Sequence, residues 1–193
     1  RQRQMCIRDR YLHFREHYGI VEKENRKRRM KRRKMKFRKA KQDDKEEILA
    51  LYQSLIGTPY CAWGNGYPGE QEFDYDMKRN ALFCMENEDG EIIGTITVDE
   101  DPQVEALTCW SKTLQPSAEL SRLGVRTDMQ NQGIAKEMMR YAFDALKEQG
   151  KKGVHILVRK GHAGAIACYT ALGFQQVGGS FSYTHLTLPT IAL

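Results

Sequence analysis

Arg126-Thr-Asp-Met-Gln-Asn-Gln-Gly-Ile-Ala135 is the stretch whose reading decides the fold. Just upstream, Leu120, Leu123 and Val125 make an apolar run that predicts a strand ending at Arg126. A short turn follows, and Gln130-Asn131-Gln132-Gly133-Ile134-Ala135 opens a helix. In that helix Ile134, Met138, Met139, Ala142, Phe143 and Leu146 recur at helical spacing. A strand that empties into a helix through small residues presents free backbone N–H groups at the positive end of the helix dipole. Such a turn suits a phosphate. Gly133 lets a ligand approach the backbone closely, and Ala135 keeps the first turn uncluttered.

The following residues supply the companion pieces. Lys152-Gly-Val-His-Ile-Leu-Val158 is a β-branched apolar run that predicts a strand. His162 to Leu172 reads as a helix stopped by Gly173, with Ala165, Tyr169 and Leu172 on one face. The Gln130-X-X-Gly133-X-Ala135 turn, followed by Ala165-X-X-X-Tyr169-X-X-X-Gly173-Phe174, resembles the GNAT N-acetyltransferase superfamily in order, spacing and strand–helix context.

The 193 residues are enough for one domain with a proper core. The formal charge of +6 is unevenly spread. Residues 1–34 carry 14 Lys/Arg against 4 Asp/Glu, whereas residues 35–193 carry 17 against 21. The basic character belongs to the first segment, and the remainder is mildly acidic. Both ends read as foreign. One codon choice for Arg1 to Arg8, translated from the opposite strand, gives Ser-Tyr-Thr-His-Leu-Thr-Leu-Pro, which is Ser182 to Pro189. Residues 1–10 and 182–193 are therefore expected to derive from one sequencing adaptor, and are set aside from functional argument. Asn25 to Lys34 is either a basic arm for nucleic acid or an acidic membrane, or an untranslated purine-rich leader read in frame; the leader is favoured, with Met35 as the start.

From Met35 the pattern is that of a folded domain, expected over residues 35–181. Met35 to Ala40 alternates as an outer strand should. Asp43 and Asp44 are placed to cap a helix with Ile48, Leu49, Leu51, Tyr52 and Leu55 inward, ended by Gly57. A Gly/Pro/aromatic loop from Thr58 to Gly69 precedes a short acidic helix reaching Arg79. Ala81–Met85 and Ile92–Val98 are strands joined around Asp89-Gly90, a strong hairpin signal. Glu100 to Ser117 reads as an irregular loop holding Trp110, Ala118–Arg126 as a strand, and Phe174 to Gly178 as the start of another. The order β-α-α-β-β-β-α-β-α-β is the one the resemblance implies: an α/β GNAT acyl-CoA N-acyltransferase fold, its mixed central sheet flanked by helices. The last strand is expected to be truncated. Cys61, Cys84, Cys109 and Cys168 lack metal spacing and read as reduced thiols of a cytoplasmic protein. No signal peptide or transmembrane run is read in the sequence.

The resemblance also assigns roles. Acetyl-CoA is the implied donor, and an amine of unidentified structure the acceptor. Leu123, Gly124 and Val125 would offer backbone groups to the pantetheine arm. The N–H groups of Gln130, Asn131, Gln132, Gly133, Ile134 and Ala135 would hold the pyrophosphate, with Lys136 or Arg126 adding charge. Tyr169 is the implied general acid for the leaving thiolate; a phenol of ordinary pKa is protonated at neutral pH. The alternative for Tyr169 is a core aromatic. Glu119, eleven residues before Gln130, matches the position of a catalytic glutamate in some members; otherwise it is a solvated strand-end residue. His162 stands where the family commonly has a cofactor-contacting Asn. Trp63, Tyr67, Glu70, Glu72, Asp74, Asp76 and Trp110 read either as an acceptor site for a cationic amine or as a soluble helix with packed loop aromatics. The expected activity is bacterial N-acetyl transfer by direct attack, since no cysteine holds a motif position for a covalent intermediate. The rival is a coenzyme A-binding module without turnover. Neither a membrane nor a nucleic-acid partner is expected, and a homodimer is consistent with the family.

Overall fold

The hairpin at Asp89-Gly90 begins the fold. The computed structural model describes residues 35–59, 61–64, 66–180 and 182–189. In it β2 (Leu82–Glu86) and β3 (Ile92–Asp99) pair antiparallel. Gly90 takes φ +81°, and the Asn87 side-chain oxygen accepts from the N–H groups of Asp89 (3.0 Å) and Glu91 (2.9 Å). The turn thus satisfies its own donors.

Around this hairpin a seven-stranded sheet runs in the order β1-β2-β3-β4-β5-β7-β6. Its other strands are β1 (Lys36–Lys39), β4 (Ser117–Val125), β5 (Gly153–Arg159), β6 (Gln175–Gly179) and β7 (Tyr183–Pro189). The helices are α1 (Lys45–Leu55), α2 (Glu70–Lys78), α3 (Pro102–Glu105), α4 (Ile134–Glu148) and α5 (Ala163–Thr170). From Phe37 onward the described residues cluster as one unit. The basic stretch 25–34 lies outside the described residues, and no described helix is long and apolar enough to cross a membrane.

The expected elements are present, with four corrections. A last strand is present where the sequence left only an adaptor-derived tail: Tyr183–Pro189 forms β7, paired antiparallel with all of β5 and with β6. Thr184, Leu186 and Leu188 alternate along it at the period of a strand, and Leu186 and Leu188 are buried. Whatever codons encode it, that pattern fits the slot. The segment 100–117 is not wholly irregular, because Asp101 caps α3 by accepting from the N–H groups of Gln103 and Val104. Asp44 makes no cap bond to α1; its carboxylate takes the Arg38 guanidinium at 2.7 and 2.9 Å instead. The helix after β4 starts at Ile134, not at Gln130, since Thr127–Met129 is a 3-10 turn and Gly133 sits at φ +84°.

The two sheet faces are covered differently. On one, Leu51 and Leu55 of α1 approach Gly124 so closely that a Cβ there would lie 2.9 Å from both Leu55 Cδ1 and Trp63 Cη2. Ile48, Tyr52 and Phe73 complete that core. On the other, α4 lays down Met138, Met139, Ala142, Phe143 and Leu146, all buried. Met138 reaches Gly94, where a Cβ would meet its Sδ at 2.7 Å.

One pairing sets up the site. β4 and β5 are parallel but matched only at Ser117–Gly153, Ala118–Val154 and Glu119–His155. Beyond Glu119 the strands diverge, although β4 continues to Val125 and β5 to Arg159. β4 also bulges against β3 between Ser121 and Gly124, with Arg122 at φ +47°. The result is a V whose vertex is Glu119 and His155.

Candidate active site

The open end of the V is closed by the turn that follows β4. The Arg126 N–H bonds the Ile93 carbonyl at 2.9 Å, carrying the chain out of the sheet. Gln130 then donates its side-chain amide to the Val125 carbonyl (3.0 Å), and Gln132 donates to the Asp128 carbonyl (3.0 Å). These side chains staple the turn. With Asn131 at φ +58° and Gly133 at φ +84°, the backbone curls into a nest. The N–H groups of Asn131 to Lys136 find no acceptor among the described residues. They stand at the N-terminus of a 15-residue helix, where the dipole favours an anion.

Charge at this turn is divided. Arg126 is engaged with Asp128 (2.8 Å) and Glu91 (3.0 Å). Lys136 is exposed and has no ion-pair partner among the described residues. A lone cation in a first helical turn opposes the dipole, an arrangement that an anion bound between them would relieve. Of Leu123, Gly124 and Val125 on the free arm, Gly124 and Val125 are buried, and the Val125 carbonyl is already occupied by Gln130.

At the vertex, Glu119 is 7% exposed, and its carboxyl makes no hydrogen bond to a described residue. Burial pushes its pKa up to about 7; Arg122 opposes the rise, while Asp101, Asp99 and Glu105 add to it. The solvated strand-end alternative for Glu119 does not hold. A carboxyl balanced near neutrality can take and return a proton at physiological pH.

Tyr169 is half-buried on α5, with its ring 5.8 Å from Phe174, which in turn lies 6.1 Å from Phe143 of α4. Burial raises the phenol above its ordinary pKa, so it is protonated at neutral pH. Its hydroxyl has no hydrogen bond to a described residue. Glu119 is on β4, and Tyr169 is on α5, the helix that follows β5. His162 is the N-cap of α5: its Nδ1 accepts from the Ala165 N–H at 3.0 Å, the capping role an Asn would play there.

The acidic residues anticipated on the acceptor side are largely committed elsewhere. Asp76 is fully buried and takes Arg122 in a bidentate pair at 2.6 and 2.7 Å, while accepting from Thr97 Oγ1 at 2.7 Å. Asp74 and Glu70 face Lys45, and Glu72 accepts from the Gly69 N–H. Trp63 packs edge-on against Tyr52. The carboxyls that act on the vertex come instead from Asp99, Asp101 and Glu105. Arg79 pairs with Asp99 and lies over the Tyr75 ring at 3.4 Å.

Sequence reasoning missed two features here. The Asp76–Arg122 pair locks the bulge of β4 to α2, and nothing local to Arg122 signals a partner 46 residues away. His155 was read only as a strand residue, yet it is 1% exposed beside Glu119, stacked on Trp110 at 4.3 Å. A polar residue in a run otherwise fit for a fully buried strand was the available signal.

A family model described as Acetyltransferase (GNAT) family matches residues 48–174. The chain belongs to the GNAT acetyltransferase family. It is 30% identical over 109 residues to N-acetyltransferase 8 of Mus musculus, a match covering 55% of this chain and 44% of that protein. The Rattus norvegicus protein of the same name matches at 31% over 110 residues, or 45% of its length. The chain thus spans less than half the length of these curated relatives. Among solved structures, the ribosomal-protein-S18-alanine N-acetyltransferase of Escherichia coli superposes with a TM-score of 0.59 at 18% identity, over 81% of this chain and 94% of that one. An N-acetyltransferase named PaiA from Thermoplasma acidophilum, solved with coenzyme A, gives 0.60 at 16% identity, over 80% and 98%. A GNAT acetyltransferase of Listeria monocytogenes gives 0.66 at 14%, over 80% and 94%. At such identities these neighbours speak for the fold.

Proposed function

We propose that the chain is an acetyl-CoA-dependent N-acetyltransferase acting on a primary amine of a small molecule or protein by direct attack. One observation carries the reading: a strand arm paired with β3 but open on its β5 side leads from a buried carboxyl near neutral pKa to a turn of N–H groups unpartnered among the described residues. An extended thioester would lie along this arm with its pyrophosphate on the turn. Asn131, Gln132, Gly133, Ile134 and Ala135 would hold the phosphates by backbone N–H, with Lys136 as the adjacent cation. Gln130 and Arg126 shape the turn, Leu123 and Gly124 offer backbone to the arm, and His162 keeps α5 in place.

Glu119 takes a proton from the bound ammonium, directly or through one water, leaving a neutral amine. The N–C bond forms as the C–S bond breaks, and Tyr169 gives its proton to the departing sulfur. The nitrogen's second proton restores Tyr169. One proton per turnover is therefore left on Glu119. The carboxyls of Asp99, Asp101 and Glu105 favour a cationic acceptor at the vertex.

The test is to incubate the full chain with acetyl-CoA and a panel holding a polyamine, free amino acids and peptides with free N-termini. Thiol release and acetylated product are measured together. At least one amine is expected to be acetylated, with Glu119→Gln and Tyr169→Phe each slowing kcat by about 10²-fold, the lower range for a lost acid or base. Acetyl-CoA binding without acetylation of any amine would overturn the enzyme reading in favour of a coenzyme A-binding module.

A further inference from the structure

The opening between β4 and β5 is bridged at its wide end. Arg159 is the last residue of β5, and its Nη1 donates at 3.3 Å to the carbonyl of Ala62, a residue 97 positions away in the chain. The next residue, Trp63, is seated on the other arm: a Cβ on Gly124 of β4 would lie 2.9 Å from Trp63 Cη2. The Arg159 side chain, Ala62 and Trp63 therefore form one continuous connection from β5 to β4, where the two strands no longer share a register pair.

Both anchorages are on the same face of the sheet. Arg159 alternates along β5 with Leu157 and His155, and His155 is the register partner of Glu119. Glu119 is in turn paired with Asp99, which alternates with Thr97, and Thr97 bonds Asp76 of α2. Trp63 packs edge-on against Tyr52 of α1 at 5.4 Å. The bridge thus lies on the side of α1 and α2. The opposite face is covered by α4, whose start carries the turn of free N–H groups. The bridging segment also holds its own shape. The Trp63 N–H donates to Cys61 Sγ at 3.4 Å, and the Tyr67 N–H to the Gly64 carbonyl at 3.1 Å. Arg122 Nη1, on the β4 bulge, donates to the Tyr67 hydroxyl at 3.4 Å.

We propose that Arg159 is a positioning residue for acyl transfer, fastening residues 61–64 across the slot as a wall that shields the bound thioester from water. The proposal rests on the acetyltransferase reading for what occupies the slot. With its pyrophosphate on the turn before α4, the donor reaches the slot from the α4 side and its arm lies beneath the bridge. One exposed hydrogen bond adds little to the fold, but it fixes the β5 end of a short segment whose β4 end Trp63 already anchors. Where that end is loose, water enters and adds to the thioester carbonyl carbon. The C–S bond then breaks, and acetate and free thiol leave without an amine being acetylated.

Cys61 lies in the bridging segment and reports on it. Its alkylation by iodoacetamide in the full chain is followed by peptide mass spectrometry, with buried Cys84 as the internal reference. Arg159→Ala should raise the Cys61 rate by about threefold to tenfold, the weight of one hydrogen bond. Arg159→Lys keeps a charged donor on a long stem and should return most of the protection. Saturating acetyl-CoA should lower the Cys61 rate of the parent. An unchanged rate in an Arg159→Ala variant with the parent's circular dichroism overturns the bridge; an Arg159 that only touches the cofactor would give that result. In kinetics, KM for acetyl-CoA should rise by more than kcat falls, and thiol release should outrun amine acetylation in Arg159→Ala but not in the parent or Arg159→Lys. Thiol release that stays matched to acetylation in Arg159→Ala contradicts the shielding. If the unaltered chain acetylates no amine, the function proposed above fails, while the Cys61 rates still decide whether Arg159 holds the bridge.

Discussion

Glu119 carries most of the pH behaviour expected of this protein. Its carboxyl is raised from 4.5 to about 7 mainly because burial disfavours the charged form. A carboxyl whose folded pKa is raised stabilises the chain less as pH climbs, because the unfolded state ionises first. Between about pH 4.5 and 7 this residue should therefore erode stability, by about 3 kcal/mol once both limits are passed. Activity has the opposite slope, since only the ionised base accepts a proton. Glu119→Gln should consequently melt higher than the parent at pH 8, match it at pH 4, and turn over poorly at both. Thermal unfolding and initial rates across that range check the pairing. A variant that melts lower at pH 8 would mean the carboxyl is stabilised by a partner. Eleven residues before the turn, Glu119 was legible as a candidate; its burial was not, because that depends on Asp99 and His155 from other strands flanking it.

At the scale of elements, the bulge in β4 is held by a bond between helix and strand. Arg122 adopts φ +47°, a region that L side chains reach only under constraint, and Asp76 supplies the constraint from α2. Asp76→Ala would leave a buried guanidinium uncompensated, at a cost of about 3–5 kcal/mol. A denaturant titration measures it. A loss below about 1 kcal/mol would place the pair in the class of surface ion pairs and refute its anchoring role. Gly124 makes a second element-scale demand, because a methyl group there would crowd Leu55 and Trp63 at 2.9 Å. Gly124→Ala should lower stability by about 1–3 kcal/mol through overpacking, read from the same titration. The periodicity of Ile134 to Leu146 and the Asp89-Gly90 turn were plain in the sequence, since each is a local signal. The start of α4 was misplaced, because the two glutamines are helix-compatible by type, whereas positive φ at Asn131 and Gly133 and the side-chain staples of Gln130 and Gln132 hold the segment outside the helix. The acidic run on α2 stayed open in the sequence between an acceptor site and a soluble helix for a related reason. Composition gives the charge, and only tertiary structure tells which carboxyls are already spoken for.

For the whole molecule, the sheet explains how two motifs separate in sequence come to flank one opening, between β4 and β5. The parallel pairing of β4 and β5 brings Glu119 beside His155, and its early end opens the space between them. β7 stiffens the far arm by pairing along the entire length of β5. Removing the buried Leu186 side chain with Leu186→Ala should therefore cost about 2–5 kcal/mol, seen as a lower Tm. An unchanged Tm would mean that β7 is not an integral strand. The sequence reading set residues 182–193 aside on coding grounds alone, whereas Tyr183–Pro189 forms a strand. The central claim is that the cleft between these arms takes acetyl-CoA with its pyrophosphate on the turn around Gly133. Titration calorimetry of acetyl-CoA into the full chain and its Gly133→Glu variant, with circular dichroism on both, tests it most directly. The account predicts saturable binding to the parent and none to a variant of unaltered secondary structure, because a glutamate at φ +84° crowds the cradle and repels phosphate. Equal binding by both proteins, or none by a folded parent, would contradict it.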